Sequence, residues 1–355
     1  MADQGGVFRP RSGKVRQANV TLAHGAGGRA MRDLIEDVFL AAFSGSSIHT
    51  LEDQARLSMT EWADPDCTLA FTTDSFVVDP IFFPGGDIGK LAICGTVNDL
   101  AVGGARPVAL SCSVILEEGM PVDDLRRISA SMRVAAEDAG VQIVTGDTKV
   151  VPRGAVDKIF INTAGIGVIP EGRDLGARHI RPGDVILVSN TIGDHGAAIM
   201  AARDDLGLSA DLVSDCRALN LLTQPLLNSV SGVRALRDAT RGGVAAVLNE
   251  FAQSAGLCCV IREDRLPLKP AVRGISEILG LDPLYLANEG LFVAVVESHQ
   301  AESAVTILRG LPGGEASAIL GHVRDEPAGA LIMKSLLGGE RLVDMLDGDQ
   351  LPRIC

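Results

Sequence analysis

Residues 142–149 read QIVTGDTK, from Gln142 to Lys149. Gln142–Thr145 has strand character and runs into Gly146-Asp147-Thr148-Lys149. The same design recurs at 68–75, TLAFTTDS, where a strand at Thr68–Thr72 runs into Thr73-Asp74-Ser75. Polar clusters just past strand ends are where α/β sheets bind ligands. Two helices are predicted between these strands. Ile88–Val102 carries the small residues Ala92, Gly95 and Ala101, which permit close packing, and Val122–Ala139 lines up Leu125, Ile128, Met132, Ala135, Ala136 and Ala139 on one face. Strands at Pro107–Leu116 and Lys158–Val168 complete a first α/β unit.

Outward from this unit the chain divides. Asn19–His24 reads as a short strand, followed by the turn Gly25–Gly28 and a helix carrying Met31, Leu34, Ile35, Val38 and Phe39. Phe82–Gly86 reads as a loop, and the polar, Gly/Pro-punctuated stretch 170–182 as a linker. A second half opens with a strand at Val185–Ser189 and the turn Gly193-Asp194-His195-Gly196. It continues through Asp238–Gly243 into a helix, then through Asn288-Glu289-Gly290 into a strand at Leu291–Val296. A helix at Ser298–Leu311 and two short strands follow. The expected organisation is a mobile extension at 1–18, domains at 19–170 and 178–346, and a flexible, unpatterned tail at 347–355.

Composition fits two domains: 355 residues, 46% apolar but only 3% aromatic, so the cores are built from aliphatic side chains, as in layered α/β proteins. A formal charge of −13 argues against broad nucleic-acid or anionic-membrane binding. No apolar run approaches the roughly 18 residues of a membrane span. The seven cysteines form no CxxC pair, which points to a reducing, cytoplasmic chain without a disulfide framework.

Chemistry concentrates on aspartates. Asp74, Asp99, Asp147 and Asp238 each stand beside a hydroxyl or amide residue: Ser75, Asn98, Thr148 and Thr240 (after Ala239). Hard oxygen ligands of this kind suit Mg²⁺ that also binds phosphate. Each alone reads equally as a turn former or cap; the set of four is what suggests a metal–nucleotide site. Arg241-Gly242-Gly243 opens a helix, where freed N–H groups attract phosphate. No Walker A motif exists: Gly85–Lys90 has the wrong spacing, and Leu91 stands where Ser or Thr is required. Gly25–Ala30 fits the dinucleotide fingerprint GxGxxA, with Glu52 at a plausible distance, but Ser44–Ser47 before it is poor strand material. Lys149 reads as a phosphate contact or base and Glu289 as a general base, against the alternatives of a solvated lysine and a turn glutamate. His24 and His195 abut glycine turns and read first as ordinary turn histidines. Cys94, Cys112, Cys258 and Cys259 read as core residues, Cys67 as a loop residue and Cys216 as helical. Cys355 ends an unpatterned segment where burial is not expected, and an exposed thiol is a liability unless used.

Together these segments resemble the HypE family of hydrogenase maturation proteins, in the PurM-like ATP-binding superfamily. The resemblance runs from about Val20 to Cys355 and is most specific at Pro352-Arg353-Ile354-Cys355. Also matching are His24–Gly28, Thr73–Ser75, Phe82–Gly86, Asn98-Asp99, Gly146–Lys149, Gly193–Gly196, Asp238–Gly243 and Asn288–Gly290, whereas Glu61–Cys67 is individual to this chain. The resemblance implies an α/β N-terminal domain, an α+β C-terminal domain, and a homodimer in which N-terminal domains pair around the ATP sites. It implies ATP contacts from Asp74, Asn98, Asp99, Gly146, Asp147, Thr148, Arg241 and Gly242, and Mg²⁺ on Asp74, Asp99, Asp147 and Asp238. Cys355, Lys149 and Glu289 are the implied catalytic residues. The implied reaction turns a carbamoyl group on the Cys355 sulfur into a thiocyanate. A HypF-like carbamoyltransferase would load the cysteine, and a HypC–HypD-like complex would take the cyanide for a [NiFe]-hydrogenase iron. Three other readings stay open: an ATP-dependent enzyme for a free small molecule, like aminoimidazole ribotide synthetase; a non-catalytic cyanide or iron carrier; and a dinucleotide enzyme.

Overall fold

The computed structural model describes residues 14–43, 54–55, 57–58, 60, 66–203, 212–346 and 353–355. Residues 1–13, Glu52, Ser44–Ser47, most of Glu61–Cys67 and residues 347–352 lie outside them.

The N-terminal unit is built on a four-stranded sheet of β1 (Thr68–Phe76), β4 (Arg106–Glu117), β5 (Gln142–Val151) and β6 (Ile159–Ile169), in the order β1-β6-β4-β5. β6 runs antiparallel to both β1 and β4, and β4 runs parallel to β5. A two-strand hairpin, β2 (Phe82–Phe83) and β3 (Gly86–Asp87), replaces the expected loop and leads into α3 (Ile88–Val102). The helices before it are α1 (Arg29–Leu34) and α2 (Ala41–Phe43), joined by a π-turn over Ile35–Leu40. α4 spans Val122–Ala139. Both α3 and α4 have the bounds read from the sequence. α3 is buried along nearly its whole length, between the sheet, α4 and the second domain. That is why it is apolar on every face and small where neighbours approach.

Among the described residues, helices cover only one face of this sheet. On the other, Leu69 and Phe71 of β1 are 52% and 69% exposed, and Ile115 of β4 is 39% exposed. Exposed apolar residues grouped on a sheet face are a feature of interaction surfaces.

The C-terminal unit carries a seven-stranded sheet, ordered β13-β12-β9-β11-β7-β10-β8. The strands are β7 (Val185–Val188), β8 (Val233–Asp238), β9 (Cys258–Arg262), β10 (Phe292–Val296), β11 (Ala318–Arg324), β12 (Leu331–Lys334) and β13 (Glu340–Leu342). Three strands, not two, therefore follow the last helix, α9 (Ala301–Arg309). α6 (Asn220–Ser229) and α9 pack in one aliphatic core with Leu187, Phe292 and Ala294. α7 (Gly243–Ala255) packs in another with Val188, Val293 and Val295, the alternate residues of the same strands. α5 (Asp194–Ala202) and α8 (Pro270–Leu279) instead join the core of the first unit through Ala197, Ala198, Ile199, Val272 and Ile275. The domains thus share packed apolar surface.

Several expectations are corrected. Residues 15–18 are not a loose arm: Val15 is buried, its N–H reaches Asp37, and Ala18 accepts a bond from Val122. Asn19–His24 is not a strand. Asn19 makes a single bridge to Pro121, and Leu22–Gly25 is a 3₁₀ turn. A fingerprint loop must follow a strand, so the dinucleotide reading loses its context. Gly85–Lys90 is no phosphate loop either, because the Asp87 side chain already caps Gly89 and Lys90. Cys216 lies in extended chain, not helix, and is buried with Cys94 in the first core.

Candidate active site

Asp74 and Asp147 lie within strands, not beyond them, because β1 and β5 continue to Phe76 and Val151. Those two strands are opposite edges of the sheet, three places apart, or about 14 Å at ordinary strand spacing. The predicted residues therefore fall into two groups within one chain.

The first group gathers between the domains. Asp74 sits on β1 above α3, its carboxylate accepting the Ser75 N–H at 2.7 Å. Asp99, near the end of α3, accepts the Thr72 hydroxyl at 2.9 Å. Asp238 ends β8, where Thr240 and Arg241 lead into α7. Gly242 and Gly243 have φ of +74° and +58°, and this left-handed turn lets α7 start with its N–H groups facing the cleft. Asp99, Asp238, Arg237, Thr240 and Arg241 line an interdomain cleft of about 660 Å³. Burial pushes the carboxyls of Asp74 and Asp99 up, and Asp74 adds to the rise at Asp99. Asp238 is pushed up to about 7, first by burial and then by Asp99. Three half-desolvated, mutually repelling carboxylates are a donor set that suits a hard divalent cation. No three acidic, His or Cys side chains among the described residues converge as a preformed metal cage. The set fits a cation that also draws ligands from phosphate.

Glu289 lies near Asp238 and Asp74. It is 3% exposed, and its Oε1 has no hydrogen-bond partner. Burial, then Asp215, Asp238 and Asp74, raise its carboxyl well above the usual range. Asp215 shapes the turn that carries it, accepting from Asn288 Nδ2 at 2.8 Å and from the N–H groups of Glu289 and Gly290 at 2.9 and 3.1 Å. A side chain on Gly290 would meet the Asp215 carbonyl at 1.9 Å, so only glycine fits. Asn98, an expected ATP contact, lies at the domain junction. It is wholly buried, donates to the carbonyls of Arg217 and Glu289 at 3.1 and 3.3 Å, and accepts from Leu219 at 2.7 Å. These three bonds tie α3 to the second domain. No sequence signal marks Asp215: its segment lacks periodicity and motif.

Cys355 joins this group. Its segment was expected to be free, yet the structure docks residues 353–355 along Val77–Asp79. Val77 N–H donates to the Cys355 carbonyl at 3.2 Å and Asp79 N–H to the Arg353 carbonyl at 3.1 Å, an antiparallel arrangement. Arg353 donates to the Val77 carbonyl at 3.1 Å and pairs with Asp157 at 2.6 Å. Arg203 bonds the carbonyls of both Asp79 and Arg353. Ile354 is buried in the first core. The physical reason is a few hydrogen bonds onto the chain just past β1, with one apolar side chain as anchor. The half-buried Cys355 thiol is pushed up to about 12 by burial and then by Glu289, although Arg241 hydrogen-bonds it.

The second group stays apart. Asp147 and Lys149 face solvent on the uncovered side of the sheet, joined to each other at 2.8 Å. That pairing lowers the Asp147 carboxyl. Gly146 is exposed beside them, while Thr148 points inward. His24 lies next to β5, fully buried, with Nδ1 bound by Thr21 and Nε2 unpartnered.

The docked thiol makes a first prediction. At pH 8, Cys355 of the native protein should react with iodoacetamide roughly a hundredfold more slowly than the same thiol in a peptide of residues 347–355, and urea should abolish the difference. Peptide mass spectrometry reads both rates, and equal rates would show that the thiol is not held.

The AIR synthase related protein family matches the chain twice, its N-terminal domain over residues 52–169 and its C-terminal domain over residues 181–334. The carbamoyl dehydratase HypE of Rhodobacter capsulatus is 57% identical over 96% of this chain and 99% of its own length. The crystal structure of a hydrogenase maturation protein HypE in complex with ATP is 49% identical and superposes with a TM-score of 0.89, over 94% of this chain and 99% of that one. A chain from a HypE–HypF complex is 46% identical with a TM-score of 0.76, over 88% and 99%. The chain belongs to the HypE family of carbamoyl dehydratases, built from the two domains of the AIR synthase related proteins.

Proposed function

We propose that this chain dehydrates a carbamoyl group carried on its own Cys355, using ATP, to give a thiocyanate for the iron centre of a [NiFe]-hydrogenase. One observation carries the reading: residues 353–355 lie docked with the Cys355 sulfur beside Arg241, Glu289 and Asp74 of the same chain.

The chemistry follows from what those groups can do. The oxygen of an S-carbamoyl group is a poor leaving group. Transfer of the γ-phosphoryl of ATP to it releases ADP and makes that oxygen leave as phosphate. Loss of both N–H protons then leaves S–C≡N on the cysteine. Glu289 is the base for these protons: desolvation and neighbouring carboxylates make it far more basic than an exposed glutamate, and its free Oε1 can take a proton. Arg241 and the N-terminus of α7 face the phosphates. Mg²⁺ on Asp74, Asp99 and Asp238 would offset phosphate charge when bound.

Asp147 and Lys149, with Gly146 and Thr148, would complete the site from a second copy. The uncovered sheet face carrying Leu69, Phe71 and Ile115 also bears Asp147 and Lys149, and it suits pairing of two N-terminal domains. Lys149 would then approach the substrate across the dimer. A HypF-like protein is the proposed carbamoyl donor, since a relative forms a HypE–HypF complex. A HypC–HypD-like complex is the proposed cyanide acceptor. No helix among the described residues is long and apolar enough to cross a membrane, and the proposed location is the cytoplasm.

The deciding experiment is mass spectrometry of the C-terminal peptide after incubation with the carbamoyl donor and ATP. The carbamoyl mass, then loss of one water at Cys355, is expected; absence of either at Cys355 overturns the reading. Glu289→Gln should retain the carbamoyl mass and not lose water. A carboxyl whose folded pKa is raised favours the folded state while protonated; that gain is complete below pH 4.5 and fades as pH rises through the raised value. Glu289→Gln should therefore be more heat-stable than the parent in alkaline buffer. Single-turnover dehydration by the parent should lose rate on acidification well above pH 4.5. Subunit composition is read by mixing the inactive variants Asp147→Asn and Cys355→Ala. A site shared between chains gives back about a quarter of the parental activity at random exchange, and a site within one chain gives none.

A further inference from the structure

We infer that His195 is a positioning residue for the cysteine-borne group: it grips the Ile354 main chain, fixes the Cys355 sulfur at Glu289, and links that placement to the segment that shapes the Glu289 turn. The inference rests on the function proposed above and names a residue that this reading leaves without a role.

His195 opens α5 and is wholly buried. Its Nε2 lies 2.5 Å from the Ile354 carbonyl and its Nδ1 lies 2.8 Å from the Ser214 hydroxyl. A carbonyl oxygen only accepts, so Nε2 carries the proton and Nδ1 accepts from Ser214. Burial agrees with a neutral ring, holding the imidazole down at about 4. The Phe83 ring meets it edge-on at 5.4 Å and fixes its plane. Ser214 in turn donates its N–H to the Pro84 carbonyl at 2.9 Å and accepts the Cys216 N–H at 3.1 Å. The next residue is Asp215, whose carboxylate gathers Asn288, Glu289 and Gly290.

Hydrogen bonds therefore run from the Ile354 carbonyl through His195 to Ser214, and the chain itself passes from Ser214 to Asp215, whose carboxylate holds the Glu289 turn. A core histidine serving only to fill space would not need a carbonyl from a residue 159 positions away. The grip is on main chain, so it is indifferent to what the Cys355 sulfur carries. The same contact can seat the thiol, the carbamoyl and the thiocyanate forms.

The test measures accessibility and needs no carbamoyl donor, so it fails or succeeds independently of the dehydration reading. Iodoacetamide labelling of the full chain is followed at Cys355 and at the half-exposed Cys67 by peptide mass spectrometry. His195→Phe keeps the ring against Phe83 and removes both hydrogen bonds. It should label about tenfold faster at Cys355, the effect of one lost buried hydrogen bond, with Cys67 unchanged. His195→Gln, which can still present an N–H to Ile354, should label close to the parent rate. Unchanged labelling of Cys355 in His195→Phe overturns the proposal, as does a parallel rise at Cys67, which would mean general loosening. Should His195→Phe not fold, Ser214→Ala decides: faster labelling at Cys355 alone supports the grip, and the parental rate overturns it.

Discussion

The buried amide of Asn98 is the joint on which the site depends. It stands on α3, the central helix of the first domain, and its three hydrogen bonds all end on backbone of the second domain. An amide with no exposure keeps its partners or incurs the full cost of desolvation. The two domains are therefore held in one registry. That registry brings Asp74 and Asp99 opposite Asp238 and Glu289. The Glu289 carbonyl is itself one of the Asn98 partners, so the joint and the proposed base move together.

Electrostatics then sets what the site can do. Asp74, Asp99, Asp215, Asp238 and Glu289 crowd into a space with little water, and each carboxyl among them is raised. Such crowding costs stability and survives only where packing and hydrogen bonds over-determine it. Here the Asp215 cradle and the shared aliphatic core supply that constraint. The consequence is a glutamate whose carboxyl is raised well above the usual range, beside carboxylates that are raised as well, which is the basis of the proposed base and metal roles. The docked thiol lies in the same field, which, after burial, adds to the rise of its pKa and favours its protonated form.

Much of the fold was legible. α3 and α4 appear with the bounds that their patterns gave, because an apolar stripe or a run of small residues is a local record of what a helix packs against. The strands were found but ended too early, since Asp74 and Asp147 look like turn residues and yet lie in the ladder. Polar residues near a strand end carry no signal for where pairing stops. Cys216 was misread, and Asp215 passed over, for the opposite reason. Their segment is extended and buried, held by bonds to residues far away in sequence, and local propensity is silent about such partners. Cys355 was read as standing at an exposed end, but residues 353–355 are docked, because one buried isoleucine and a few main-chain hydrogen bonds hold them.

The sequence by itself determined the chemical inventory: four aspartates with oxygen-bearing neighbours, a glycine-led helix start, a glutamate in a turn, and a cysteine at the last position. These are fixed by residue type and spacing alone. Only the tertiary structure decided which of them meet. β1 and β5 became opposite edges of one sheet, so Asp147 and Lys149 were separated from Asp74, and residues 353–355 were brought to Glu289. Strand order and domain registry arise from long-range pairing and shared burial, which no window of sequence contains, and that is why the set could be listed before it could be assembled.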